Sequence, residues 1–264
     1  MTREEIVDFA TQFIEDSPGN YISADSALDL SYIGMKIYES PLFAFGAADD
    51  ELYMKYKDPE IIGSNFLTPV EWLPGAKTVI SFFLPFTETV KNANARDHDW
   101  PADEWLHARY EGQLFLQDLA LQIQKLICDS GYECIIPSLE SRFEVINGYI
   151  PNWSERHAAY ACGLGTFGLS KGLITEKGIS GRFGSMLTDL DIEYSKRNYT
   201  DVYEYCNMCM VCTQNCPAGA ISTKSKDDSL CAAFLDKVRD KHSPRYGCGK
   251  CQVIVPCESG IPAK

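Results

Sequence analysis

The residues best equipped for chemistry in this 264-residue chain are its 11 cysteines, eight of which fall between Cys206 and Cys257. The first four are Cys206, Cys209, Cys212 and Cys216, with Pro217 directly after them. That is C-x2-C-x2-C-x3-C-P, the run with which bacterial ferredoxins hold iron–sulfur cubes. Two-residue gaps let one tight loop aim three sulfurs at three corners of a cluster, while its backbone amides face the sulfides and offset their charge. Cys216 stands beyond that loop, and Pro217 helps turn the chain away. Zinc also uses paired C-x2-C motifs, but it needs neither a third cysteine at the same spacing nor a closing C-P.

The second group is Cys231, Cys248, Cys251 and, after Pro256, Cys257. In two-cluster ferredoxins the fourth cysteine of the run ligates the other cluster. By that rule Cys206, Cys209, Cys212 and Cys257 hold one [4Fe-4S] cluster, and Cys216, Cys231, Cys248 and Cys251 hold a second. Eight thiolates then serve two clusters with none left over. One cluster with four spare buried thiols is the alternative. Met208 and Met210, lying between ligands, are expected to shield a cluster from water. The scattered Cys128, Cys134 and Cys162 read as small buried thiols.

One glycine motif invites a different chemistry. Gly163, Gly165 and Gly168 make a literal G-x-G-x-x-G, the dinucleotide fingerprint. A dinucleotide turn follows a buried strand, whereas residues 154–161 here read as helix. Nicotinamide binding is therefore disfavoured, and the glycines are expected to let the backbone approach another chain segment or a flat cofactor. Arg182, after Gly181, is a candidate for a cofactor phosphate or amide edge against the blander reading of a solvated loop charge. Glu155 and Arg156 read as helix anchors joined by a salt bridge, in preference to substrate contacts. His157 reads as a satisfied, half-buried histidine.

The elements that must position these residues are partly legible. An amphipathic acidic helix is expected over residues 1–10. Leu116, Leu119, Ala120, Ile123, Leu126 and Ile127 recur at helical spacing, which predicts a helix over residues 104–130 stopped by Gly131. A strand is predicted over residues 78–84, launched by the Pro74–Gly75 turn and ended by Pro85, and another over residues 132–136. Residues 97–103 read as a polar loop. Without strict strand–helix alternation, α+β is the expected class. A boundary is expected near residues 194–198, giving an N-terminal domain over 1–195 and a cysteine-rich domain over 196–264.

Lys and Arg number 24 and Asp and Glu 37, so the net charge is 24 − 37 = −13. A surface that acidic repels phosphate backbones and anionic membranes, which disfavours nucleic acid as a partner. No apolar run reaches transmembrane length, and the start of the sequence carries no signal pattern. A cytoplasmic location is expected.

Two stretches resemble a known superfamily. Ser154, Glu155 and Arg156 lead into Gly163, Gly165 and Gly168, and Gly181, Arg182 and Gly184 lead into Thr188, Asp189 and Leu190. Together they look like the "ER…GLG" and "G…TDL" stretches that precede a double-cubane module in the epoxyqueuosine reductase and reductive dehalogenase superfamily. Residues 246–252, around Cys248 and Cys251, look like the reductase's second cluster motif, and residues 73–80 look like that family's early strand.

The resemblance implies a nitroreductase-like α+β domain followed by a ferredoxin-like domain, with a corrinoid (cobalamin-type) cofactor near one cluster. Electrons would come from a reduced ferredoxin or flavodoxin-type donor and pass through both clusters to the corrinoid, which would reduce a small-molecule substrate. The resemblance brings Gly163, Gly165, Gly168 and Arg182 forward as corrinoid contacts. Where the epoxyqueuosine reductases carry a proton-donating aspartate, six residues before the glutamate, this chain has Tyr149. A tyrosine can also donate a proton, so Tyr149 is the candidate catalytic acid. Two other readings remain open: an electron-transfer protein that reduces a partner such as a corrinoid protein, and epoxyqueuosine reduction in tRNA.

Overall fold

The computed structural model describes residues 1–146 and 149–263. The chain opens with α1 (Arg3–Asp16), longer than the ten residues expected. A capping box starts it: the Glu5 amide donates to the Thr2 hydroxyl at 3.3 Å, and the Thr2 amide donates to the Glu5 carboxylate at 2.7 Å. Ile6, Ala10 and Ile14, four apart, give the buried stripe.

Next come β1 (Leu42–Ala47), the short helices α2 (Glu51–Lys55) and α3 (Pro69–Trp72), β2 (Thr78–Pro85) and α4 (Glu88–Ala95). The long helix α5 (Asp103–Asp129) follows. Its core stripe includes the predicted Leu116, Leu119, Ala120, Ile123 and Ile127. Cys128 is exposed rather than buried: one residue past Ile127, it is turned about 100° away from the core face. The strand expected over 132–136 shrinks to β3 (Cys134–Ile135).

The hairpin β4 (Val145–Ile146) and β5 (Ile150–Pro151), the helix α6 (Glu155–Cys162) and the hairpin β6 (Gly165–Phe167) and β7 (Leu173–Thr175) lead to β8 (Gly181–Thr188). The main sheet runs β1-β2-β8-β3, every pair antiparallel. Register places Ile80 opposite Phe45 and Met186, and Ser81 opposite Ala44 and Ser185. Alternation then sorts the faces. Phe45, Ile80, Phe82 and Met186 pack with α1 and α5, while Ala44, Val79 and Leu187 pack with α6. All eight residues of β2 are buried because helices cover both faces, which is why it reads as one apolar run in sequence. The fold is thus mixed α/β, with helices on both faces of an antiparallel sheet.

Residues 191–200 form no regular element, and Ser195 within them bonds to the edge strand β1. The Ser195 amide donates to the Phe45 carbonyl at 2.7 Å, and the Ser195 hydroxyl accepts from the Phe45 amide at 3.0 Å. The cysteine-rich remainder holds α7 (Val211–Gln214) and α8 (Asp228–His242). It is tied back by the Ile179 amide on the Cys257 carbonyl at 2.9 Å and by Asn94 Nδ2 on the Cys248 carbonyl at 3.0 Å.

Two cysteine-lined cavities

The eight clustered cysteines line two cavities. Cys206, Cys209, Cys212 and Cys257 line the first, which has about 350 Å³ of space partly open to solvent. Cys216, Cys231, Cys248 and Cys251 line the second, with about 770 Å³ of space that is likewise partly open to solvent. Electrostatics groups them alike: the Cys257 thiol feels those of Cys206, Cys212 and Cys209, and the Cys248 thiol feels those of Cys251 and Cys231. Cys251 feels Cys231 and Cys216, and also Cys212 of the other set. The two sets are therefore close neighbours.

Local backbone explains how each sulfur is aimed. Met208 and Met210 adopt left-handed φ values of 54° and 64° between successive cysteines. These sparsely populated conformations reverse the chain at each step, and α7 starts directly after the second. Cys216 caps the run, its sulfur accepting the Ala220 amide at 3.3 Å. Cys231 rides the first turn of α8, whose N-cap Asp227 accepts from the amides of Ser229 and Leu230. Met210 lines the first cavity as expected of a shield, yet Met208 and Met210 remain 45% and 38% exposed.

Burial pushes the thiols of Cys248 and Cys257 up to about 12 and that of Cys251 up to about 11. Thiols so placed ionise when a cation replaces their protons. Among the described residues no three His, Cys, Asp or Glu converge tightly enough for a single ion. Four sulfurs spread around a void, backed by an amide donor, fit the corners of a cluster better than one tetrahedral ion.

The three motif glycines have structural partners within the chain. Gly163 ends α6 in the left-handed region at φ 101°. A Cβ at Gly165 would stand 1.9 Å from the Ile174 carbonyl oxygen. Of the two close approaches open from sequence, chain against chain is the one found there. Gly168 lines the first cavity, while Gly163 and Gly165 line neither. The order helix, glycine, strand is also the reverse of a dinucleotide turn.

Arg182 is not a solvated loop charge. It lies within β8 and lines the second cavity. It donates to Gln113 Oε1, while its own Nε is buried without a partner. Glu155 and Arg156 do not pair, because consecutive helical residues point about 100° apart. Glu155 accepts from the Ser185 hydroxyl, which also accepts from Trp153 Nε1 at 2.9 Å. Arg156 donates to the Lys171 carbonyl.

Burial lifts the Glu155 carboxyl to about 7 although Ser185 and Ser138 hydrogen-bond it. Arg156 is exposed, yet desolvation lowers its guanidinium from the usual range. The Cys251 and Cys231 thiols act on Arg156, so it lies within electrostatic reach of the second cysteine set. His157 is half-buried, 2.8 Å from the Ser154 hydroxyl, and burial holds it down at about 3. Tyr149 is 45% exposed just before β5, its amide on the Ile146 carbonyl at 3.2 Å. Trp105, Arg109 and Lys226, which share the second cavity with Arg182, carry no motif by which sequence could single them out.

No protein-family model matches the chain. The epoxyqueuosine reductase of Bacillus cereus is 26% identical over 219 residues, covering 78% of this chain and 54% of that protein. The chain thus spans about half the length of the first curated relatives it matches. A solved epoxyqueuosine reductase, carrying an epoxyqueuosine-modified tRNA-Tyr stem loop, superposes at TM-score 0.58 and 18% identity, over 99% of this chain and 66% of the other. A reductive dehalogenase whose structure suggests a mechanism for B12-dependent dehalogenation superposes at TM-score 0.54 and 15% identity, over 84% of this chain and 30% of the other. At those identities the structural likeness is one of fold. No helix among the described residues is long and apolar enough to cross a membrane.

Proposed function

We propose that the chain, which is similar in sequence to epoxyqueuosine reductases and shares its fold with them and with a reductive dehalogenase, is an iron–sulfur oxidoreductase with two [4Fe-4S] clusters serving a corrinoid-dependent reduction. The observation that carries this reading is the gathering of eight cysteines into two cavities of four. Cys206, Cys209, Cys212 and Cys257 would hold one cluster, and Cys216, Cys231, Cys248 and Cys251 the other. Clusters of this kind supply one-electron steps at potentials tuned by charge, burial and hydrogen bonds to sulfur. The architecture that goes with this is a nitroreductase-like domain over 1–195 and a ferredoxin-like domain over 196–264.

The chain's own residues divide the remaining work. Cys209 and the exposed methionines put the first set at the surface, where a reduced ferredoxin or flavodoxin-type donor can reach it. Arg182 lines the second cavity, and Arg156 lies within electrostatic reach of Cys251 and Cys231. What supports a corrinoid beside that set is the resemblance together with this placement. Tyr149 is the proposed proton donor to a small-molecule substrate.

The tRNA reading is retained beside this one. The expectation against nucleic acid rests on net charge alone, and one fold neighbour carries a tRNA stem loop. Anaerobic purification with iron, sulfide and cobalt analysis tests the proposal. About eight irons per chain, falling by about half in Cys209→Ser and in Cys248→Ser, is the expected result. Zinc, or four irons or fewer in the parent chain, counts against it. Retention of tRNA at moderate salt would identify the substrate as nucleic acid.

A further inference from the structure

The two cysteine cavities differ in charge. Apart from its cysteines, the first is lined only by uncharged residues. The second is lined by Arg109, Arg182 and Lys226 and by no carboxylate. Among the described residues none of these three cations has an ion-pair partner within 4.0 Å. Arg109 instead donates to the Tyr246 hydroxyl at 3.0 Å and lies over that ring at 4.5 Å. Arg182 is committed to Gln113 at one end only, which leaves its buried Nε without an acceptor.

All three cations are partly buried, and a cation drawn out of water without a counter-ion is costly, as is a buried donor without an acceptor. Two arginines within electrostatic reach of each other compound that cost. An anion in the cavity removes it. Four thiolates and four sulfides outweigh the charge of four irons, so a cubane bound by Cys216, Cys231, Cys248 and Cys251 is such an anion.

We infer that Arg182, supported by Arg109 and Lys226, is the counter-charge of the cluster held by the second cysteine set, and that it raises the reduction potential of that cluster. The inference rests on the proposed function for the presence of the cluster. The physical reason is that reduction adds a negative charge, and a nearby cation in a low-dielectric site favours the more negative form. The first cavity holds no cation that could do the same. The arginines therefore make the second cluster the better electron acceptor, which directs flow from the first cluster to the second. This reassigns Arg182 from a corrinoid contact to a tuning residue of the cluster whose cavity it lines.

The test is an EPR-monitored reductive titration of the anaerobically purified full chain, beside Arg182→Gln and Arg109→Gln, with iron counted in each. The second cluster's signal is the one lost in Cys248→Ser. At the parent midpoint, the reduced-to-oxidised ratio of that cluster is expected to fall about tenfold in Arg182→Gln, which is about 59 mV for one electron. The first cluster's midpoint stays in place, and Arg109→Gln shifts the second in the same direction by less. Should Arg182→Gln fail to load iron, the Arg109→Gln midpoint decides. Loaded variants with an unmoved second midpoint, or with both clusters moved equally, overturn the inference and leave the functional reading standing; loss of added cobalamin with no shift does the same and returns Arg182 to the corrinoid. A parent chain without a second cluster overturns the functional reading itself.

Discussion

The ammonium of Lys250 donates to the backbone carbonyl of Asn94 at 2.6 Å, across 156 positions of sequence. It also reaches Asn94 Oδ1 at 3.1 Å and the Asp97 carbonyl at 2.7 Å. These acceptors cluster around the end of α4, where unpaired carbonyls and the helix dipole both favour a cation. Lys250 stands between Cys248 and Cys251, so this buried cation pins the second cysteine pair to the N-terminal part of the fold.

Lys250→Met should therefore destabilise the iron-free chain by about 2–4 kcal/mol, because it leaves buried carbonyls without donors. Urea unfolding measures that loss. Iron bound by the second set should fall with it while the first set stays loaded. A variant as stable as the parent would show that the contact is incidental.

Gly165→Ala should be among the most damaging single-methyl additions. Its Cβ would overlap the Ile174 carbonyl of the partner strand, and backbone cannot yield as a side-chain tip can. A loss of about 2 kcal/mol or more is expected. Because Gly168 and Ile174 line the first cavity, iron should be lost from the first set before the second. Thermal unfolding and iron analysis check both effects.

Glu155 gives a pH dependence with a definite sign. Its folded carboxyl lies near 7 against an ordinary value of 4.5, so the folded chain keeps a proton that the unfolded chain releases. Stability from this site is present below about pH 4.5 and declines as pH rises toward 7. Glu155→Gln, which mimics the protonated form, should remove that decline. Relative to the parent, it should gain about 1–2 kcal/mol between pH 5 and pH 8 after allowing for partial exposure. Equal changes in parent and variant midpoints across that range would refute this account.

The cysteine thiols act at the alkaline end. Burial raises Cys248 and Cys257 to about 12 from 9.0. The iron-free folded chain thus holds protons that the unfolded chain loses above pH 9, and its stability falls as pH rises through that window. Cys248→Ala/Cys257→Ala should flatten the fall. The iron-loaded chain, whose ligands carry no protons to lose, should show less of it. Denaturant midpoints from pH 8 to pH 11 decide the matter.

Sequence by itself determined the local chemistry. A C-x2-C-x2-C-x3-C-P run is a short local motif, so its spacing alone raises the expectation of an iron–sulfur cluster. The α5 stripe and the continuous apolar run of β2 were legible for the same reason: period and burial are written residue by residue. Tertiary structure decided everything that depends on which distant segments meet. It brought Cys257 to the first three cysteines and Cys231 to Cys248 and Cys251, pairings separated by many residues. Strand parity in β8 turned Arg182 into a cavity rather than toward solvent. Helical rotation sent Glu155 and Arg156 to different partners and left Cys128 outside the core. Those outcomes rest on register and on the packing of α6 against the sheet, which a short window of sequence does not contain.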